Sequence, residues 1–104
     1  MPFKRKTQSA WATHPGEILK YEFLKPLKIS GYALAKAISV NPQRVSDITL
    51  KKSGISADIA MRLGKFFGTS AEFWMNLQDA YELSLARKHM ARKLNKIKPY
   101  AKVA

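Results

Sequence analysis

Cysteine is absent from this 104-residue chain, and acidic side chains are scarce, with 7 Asp and Glu against 19 Lys and Arg. The missing cysteine excludes disulfides, thiolate zinc sites and cysteine nucleophiles, and it fits a reducing, cytoplasmic setting. No apolar run approaches the ~18–20 residues of a membrane span, and Met1-Pro2-Phe3-Lys4-Arg5-Lys6 lacks the apolar stretch of a secretory signal. Histidine is also rare. His14 and His89 lie far apart with no metal-ligand motif around either, no glycine-rich phosphate loop precedes a helix, and no strained Ser nucleophile turn occurs. The expectation is a non-enzymatic protein with no metal, no cofactor and no small-molecule substrate.

What the chain does have is positive charge. The balance of +12 points to an anionic partner, without choosing among DNA, RNA, a membrane surface or an acidic protein. Residues 1–29, 30–68 and 69–104 each carry +4. The last third is uneven, because its acids, Glu72, Asp79 and Glu82, all precede its seven basic residues, Arg87 to Lys102. A content of 46% hydrophobic and 25% charged residues suits a single folded domain of this length.

Helical spacing recurs along the chain, and no stretch alternates in the manner of a strand. Residues 1–13 read as a flexible N-terminal arm. His14-Pro15-Gly16-Glu17 opens a first helix with Ile18, Leu19, Phe23 and Leu24 as its stripe, and Pro26 is expected to stop it. A second, short helix starts near Ser30-Gly31 and carries Leu34, Ala35 and Ile38. Asn41 as N-cap and Pro42 at the first position begin a third, running to about Leu50 with Val45 and Ile48 inward. Ser56 caps a fourth, striped by Ile59, Leu63, Phe66 and Phe67 and closed by Gly68. Thr69 or Ser70 starts a fifth, Thr69 with Glu72 having capping-box spacing, and its apolar face is Phe73, Trp74, Leu77, Tyr81 and Leu85. The fold expected is all-α, with a folded unit over 14–95 and a basic C-terminal tail over 96–104 that frays after Pro99.

Between Gly31 and Leu50 the spacing resembles a helix-turn-helix unit, whose second helix enters the major groove of duplex DNA. Gln43, Arg44, Ser46 and Asp47 fall on the outward positions of that second helix. Gln pairs bidentately with adenine and Arg with guanine, which makes these four the candidate base readers. Tyr32, Lys36, Lys51 and Lys52 are the candidate phosphate contacts. Asp47 belongs there only if it accepts from cytosine or pairs with a Lys or Arg. Further along, the stripe of Trp74, Leu77, Tyr81 and Leu85 is either core or a dimer or partner surface. The tail is either a solvated helix end or a contact surface.

Several ordered motifs then identify the chain as similar to the HigA-type antitoxins, a virulence-associated protein I-like branch of the Xre-like helix-turn-helix regulators. They are His14-Pro15-Gly16-Glu17-Ile18-Leu19, Leu34-Ala35-Lys36-Ala37-Ile38 and Gly54-Ile55-Ser56-Ala57-Asp58. Arg62 to Ser70, Phe73-Trp74-Met75-Asn76-Leu77-Gln78 and Tyr81-Glu82-Leu83 complete them, so the resemblance spans about residues 14–90. It implies a five-helix, lambda-repressor-like domain with an extended C-terminal helix. It also implies a homodimer that binds operator DNA, represses its own operon and neutralises a HigB-type endoribonuclease toxin. Two positions depart from the family. Ser39 stands where Gly is usual, so a left-handed backbone there would be strained. Leu50-Lys51 replaces the usual Asn-Gly and bears on how the third helix ends. A stand-alone regulator without a toxin, a basic RNA-binding protein and a toxin-neutralising module that has lost DNA binding are the alternatives.

Overall fold

The computed structural model describes residues 13–101 of the chain. The expected arm therefore lies outside the described residues, except for Thr13, and so does the end of the tail beyond Ala101. Among the described residues there is no strand. Five helices follow one another: α1 (residues 15–27), α2 (Gly31–Ile38), α3 (Pro42–Thr49), α4 (Ala57–Phe67) and α5 (Ala71–Asn95).

Caps decide most of the helix starts. His14 Nδ1 accepts from the Gly16 amide at 2.8 Å, Ser30 Oγ from Ala33 at 3.0 Å and Asn41 Oδ1 from Gln43 at 2.7 Å. Ser56 does the same for Ile59 and Ser70 for Phe73. Each side chain satisfies an amide that the helix itself leaves without a partner. Of the two candidate caps for α5, Ser70 is the one used. Thr69 has another task, accepting the Trp74 indole N–H at 2.8 Å.

Helix α1 corrects one expectation. Pro26 does not stop it; the chain turns on to Leu27, and Lys28, with φ 58°, ends it. The middle of α1, Leu19–Leu24, is a π-helix. That wider turn matters because a proline ring normally collides with the carbonyl four residues earlier and has no N–H to donate. The five-residue register gives the ring room.

The core gathers Ile18, Leu19, Leu34, Ala35, Val45, Ile48, Ile55, Ile59, Leu63 and Trp74, all almost fully buried. Trp74 is 0% exposed and sits in an aromatic group with Phe23 at 5.0 Å and Phe73 at 5.1 Å between ring centres. Phe66, expected on the inner stripe of α4, turns outward and is 41% exposed. Gly16 brings the start of α1 against the end of α3 so closely that a Cβ there would lie 1.9 Å from the Ile48 carbonyl oxygen. No larger residue fits that contact.

Helix α5 has two halves. Its first half packs on α4 and buries Trp74, Gln78 and Ser84, while every residue from 86 to 101 is exposed. With a rise of ~1.5 Å per residue, its 25 residues span roughly 37 Å. That projection gives the molecule its 53 Å long dimension.

Candidate nucleic-acid interface

Helices α2 and α3 form the helix-turn-helix expected from the sequence, and the connection depends on one strained residue. Ser39 ends α2 in the left-handed conformation (φ 62°), its amide reaching back to the Ala35 and Lys36 carbonyls. Val40 N–H also bonds the Ala35 carbonyl at 3.0 Å, and Val40 packs against the core. From α4, Arg62 donates to the Ile38 carbonyl at 2.7 Å and the Ser39 carbonyl at 3.3 Å. Asp58 accepts from the Arg62 Nε–H and holds that side chain in position. Arg62 thus closes the open carbonyl end of α2, a role that sequence spacing alone did not reveal.

On α3, Val45 and Ile48 face inward and Gln43 faces water. Gln43 Nε2 donates to Asp47 Oδ1 at 2.8 Å. The pairing leaves the Gln43 carbonyl oxygen free for a donor, and it orients Asp47 without the Lys or Arg partner expected to offset its charge. Ser46 lies beside them, half-buried, and Leu50 stands one turn further on at 55% exposure. Gln43, Ser46, Asp47 and Leu50 form one outward face.

Arg44 departs from the expectation. Its guanidinium does not point off α3; it donates to Ser53 Oγ at 3.0 Å, to Ser56 Oγ at 3.3 Å and, at 3.5 Å, to the Gly54 carbonyl. The side chain is half-buried. Three acceptors in the loop after α3 hold a group whose charge strengthens each bond. As placed, Arg44 braces the reader rather than presenting itself to a base edge.

The candidate phosphate contacts divide. Tyr32 is 62% exposed with Lys36 Nζ 5.7 Å from its ring centre. Lys52 is exposed. Lys51 adopts φ 65°, so the turn after α3 forms without glycine. Its ammonium pairs with Glu17 at 2.8 Å, and that hydrogen bond raises its pKa. Lys51 therefore ties α1 to the end of α3 and stays charged there.

The fifth-helix stripe is also redistributed. Trp74 is core, so it is not a dimer or partner surface; a fully buried indole offers a partner no area. Leu77, Tyr81 and Leu85 are half-buried on the same side, and Tyr81 meets the His14 ring edge-on at 4.8 Å. The apolar surface that α5 exposes lies opposite. Leu83, nine residues or about two and a half turns from Trp74, begins it, and Met90 and Leu94 continue it.

Gln78 is the residue that sequence reasoning missed. It is 7% exposed, accepts the Ile55 amide at 2.7 Å and donates to Glu82 at 2.7 Å. A Cβ on Gly54 would lie 2.5 Å from its Oε1, so any larger residue there would have to displace the Gln78 amide. The signal was available: Gln78 stands four residues after Trp74 on the inward face. Among the described residues no group of three His, Asp or Glu is placed to hold a metal, and no helix is long and apolar enough to cross a membrane.

No family model matches the chain. Among curated proteins it is 51% identical to virulence-associated protein I of Dichelobacter nodosus over 72% of this chain and 69% of that protein. It is 36% identical to antitoxin HigA-1 of Vibrio cholerae, over 81% of this chain and 79% of that one. Among solved structures it matches the Pseudomonas aeruginosa antitoxin HigA, determined with the higBA promoter. There the identity is 49% and the TM-score 0.81, over 84% of this chain and 96% of that one. With the five helices, the helix-turn-helix and the likeness over most of each partner's length all in agreement, the chain belongs to the HigA-type antitoxin family of helix-turn-helix regulators.

Proposed function

We propose that this protein is a cytoplasmic, non-enzymatic, homodimeric antitoxin that binds operator DNA through α3, represses its own operon and neutralises a HigB-type endoribonuclease toxin. The observation that carries the DNA-binding part is the exposed face of α3, with a free amide oxygen on Gln43, braced on both sides within a chain of charge +12. The relative solved with its promoter supports the same reading. Gln43 reads adenine, Ser46 assists, Asp47 accepts from cytosine or orients Gln43, and Leu50 meets a thymine methyl. Lys52, Tyr32 and Lys36 hold phosphates, with Lys51 at the edge. Arg44 supports all of them from behind.

Anisotropy titrations of a labelled duplex taken from immediately upstream of the coding sequence, against a shuffled duplex, test this assignment. Gln43→Ala is expected to cost ~1–3 kcal/mol on the upstream duplex and little on the shuffled one. Arg44→Ala weakens both together and lowers the melting temperature. Equal loss on both duplexes for Gln43→Ala removes Gln43 from base reading. If the unsubstituted chain does not prefer the upstream duplex, the operator reading itself fails.

A further inference from the structure

An open groove of about 580 Å³ runs from α1 across the start of α2 to the flank of α3. Lys20, Lys25 and Lys28 line one side, Tyr32 its end, and Ser46 and Thr49 of the reading helix the other side. No carboxylate lines it. Lys20 and Lys25 both place Nζ over the Tyr21 ring, at 5.3 and 5.6 Å. Two ammonium groups are thus gathered around one ring, and Lys28 follows in its left-handed turn. Such crowding of like charge is unfavourable until an anion arrives.

We propose that this groove carries a sugar-phosphate strand of duplex DNA, with Lys20, Lys25 and Lys28 neutralising successive phosphates. The proposal rests on the assignment of α3 as the DNA reader and extends it. Ser46 belongs to both surfaces, so a strand lying in the groove borders the bases that α3 faces. Lys51 and Lys52 follow the other end of α3, and Lys51 is partly occupied by Glu17. The lysines of α1 therefore supply phosphate contacts that the helix-turn-helix unit does not provide by itself. The groove's lysines and hydroxyl groups suit a strand with periodic negative charge.

The test is the salt dependence of binding to a fluorescein-labelled 30-base-pair duplex, measured by anisotropy between 50 and 200 mM KCl. Each phosphate neutralised contributes a slope of about −0.9 in log K against log salt. The Lys20→Gln, Lys25→Gln, Lys28→Gln triple variant should therefore flatten the slope by roughly 2–3 and lose affinity at least ~10-fold at 100 mM salt. Unchanged helical circular dichroism reports its folding, and the Lys→Arg triple variant should restore the slope. A control of equal charge change outside the groove and the α5 face, Lys65→Gln, Lys98→Gln and Lys102→Gln, should flatten it less. Equal flattening by both triples overturns the groove in favour of net charge, and so does a loss seen on a structured RNA but not on the duplex. Duplex binding with an unchanged slope overturns the groove alone, whereas no duplex binding by the unsubstituted chain overturns the DNA reading with it.

Discussion

Ser39 and His14 each do something at the residue scale that their side chains alone do not advertise. Ser39 holds φ 62° with an exposed side chain that makes no contact requiring serine. A left-handed conformation costs an L-residue with a Cβ roughly 1–2 kcal/mol. Glycine avoids that cost but adds freedom to the unfolded chain. Ser39→Gly is therefore expected to stabilise by about 0.5–1 kcal/mol, read as a melting temperature several degrees higher. No change, or a lower melting temperature, would show that the serine is unstrained.

His14 is 6% exposed and caps α1 through Nδ1, so its proton resides on Nε2. Burial lowers its pKa from the ordinary 6.5, Lys51 lowers it further, and Glu17 opposes both. The unfolded chain therefore takes up this proton at higher pH than the folded one does. Stability from this group is complete above pH 6.5 and falls as pH drops through 6.5 toward the lowered value. Melts between pH 7.5 and 5.0 should show that decline. His14→Asn keeps a capping acceptor with no titration, and its decline should be shallower. An identical slope in the variant would assign the pH dependence elsewhere.

Among the elements, the loop between α3 and α4 is the joint on which the reading helix depends. Arg44 holds it from α3 and Gln78 holds it from α5. Gln78→Met keeps length and removes both hydrogen-bonding groups, leaving the buried Ile55 amide without a partner. The expected cost is about 1–3 kcal/mol of stability, measurable by urea unfolding. Duplex affinity should fall for every sequence alike, since no base contact is lost. A variant as stable as the original would mean that the loop relaxes to find water. The caps and the helix-turn-helix spacing were legible in the sequence because they are local. The direction of Arg44 was not, because its acceptors lie 9–12 residues further on in a loop of irregular shape.

Across the whole molecule, the two halves of α5 pose the question of assembly. The inner face closes the core. The outer face exposes Leu83, Met90 and Leu94; the acids Glu72, Asp79 and Glu82 precede Leu83 on the helix, and the basic residues from Arg87 to Lys96 follow it. An antiparallel pairing of two copies about this face sets the acidic half of each helix against the basic half of the other. If the proposed homodimer forms through α5, this exposed face is the one expected to pair, since Trp74 is buried. The Leu83→Gln, Met90→Gln, Leu94→Gln variant should sediment at half the mass of the unsubstituted protein and bind a palindromic duplex more weakly. An unchanged mass would move the interface away from α5.

The sequence by itself determined where the helices start and the order of the helix-turn-helix, since these depend on neighbours a few residues apart, and its ordered motifs marked the family; the end of α1 at Lys28 rather than Pro26 it did not. It also marked Ser39 as the place where a left-handed turn would be strained. Tertiary structure alone decided that Arg44 turns into the loop, that Gln78 joins α5 to that loop and that Trp74 belongs to the core. It alone gathered Lys20, Lys25 and Lys28 beside the reading helix. The physical reason is the same throughout: a side chain's role depends on which acceptors, rings or charges surround it. For these residues, that company comes from segments distant in the chain or from a loop whose course only packing fixes.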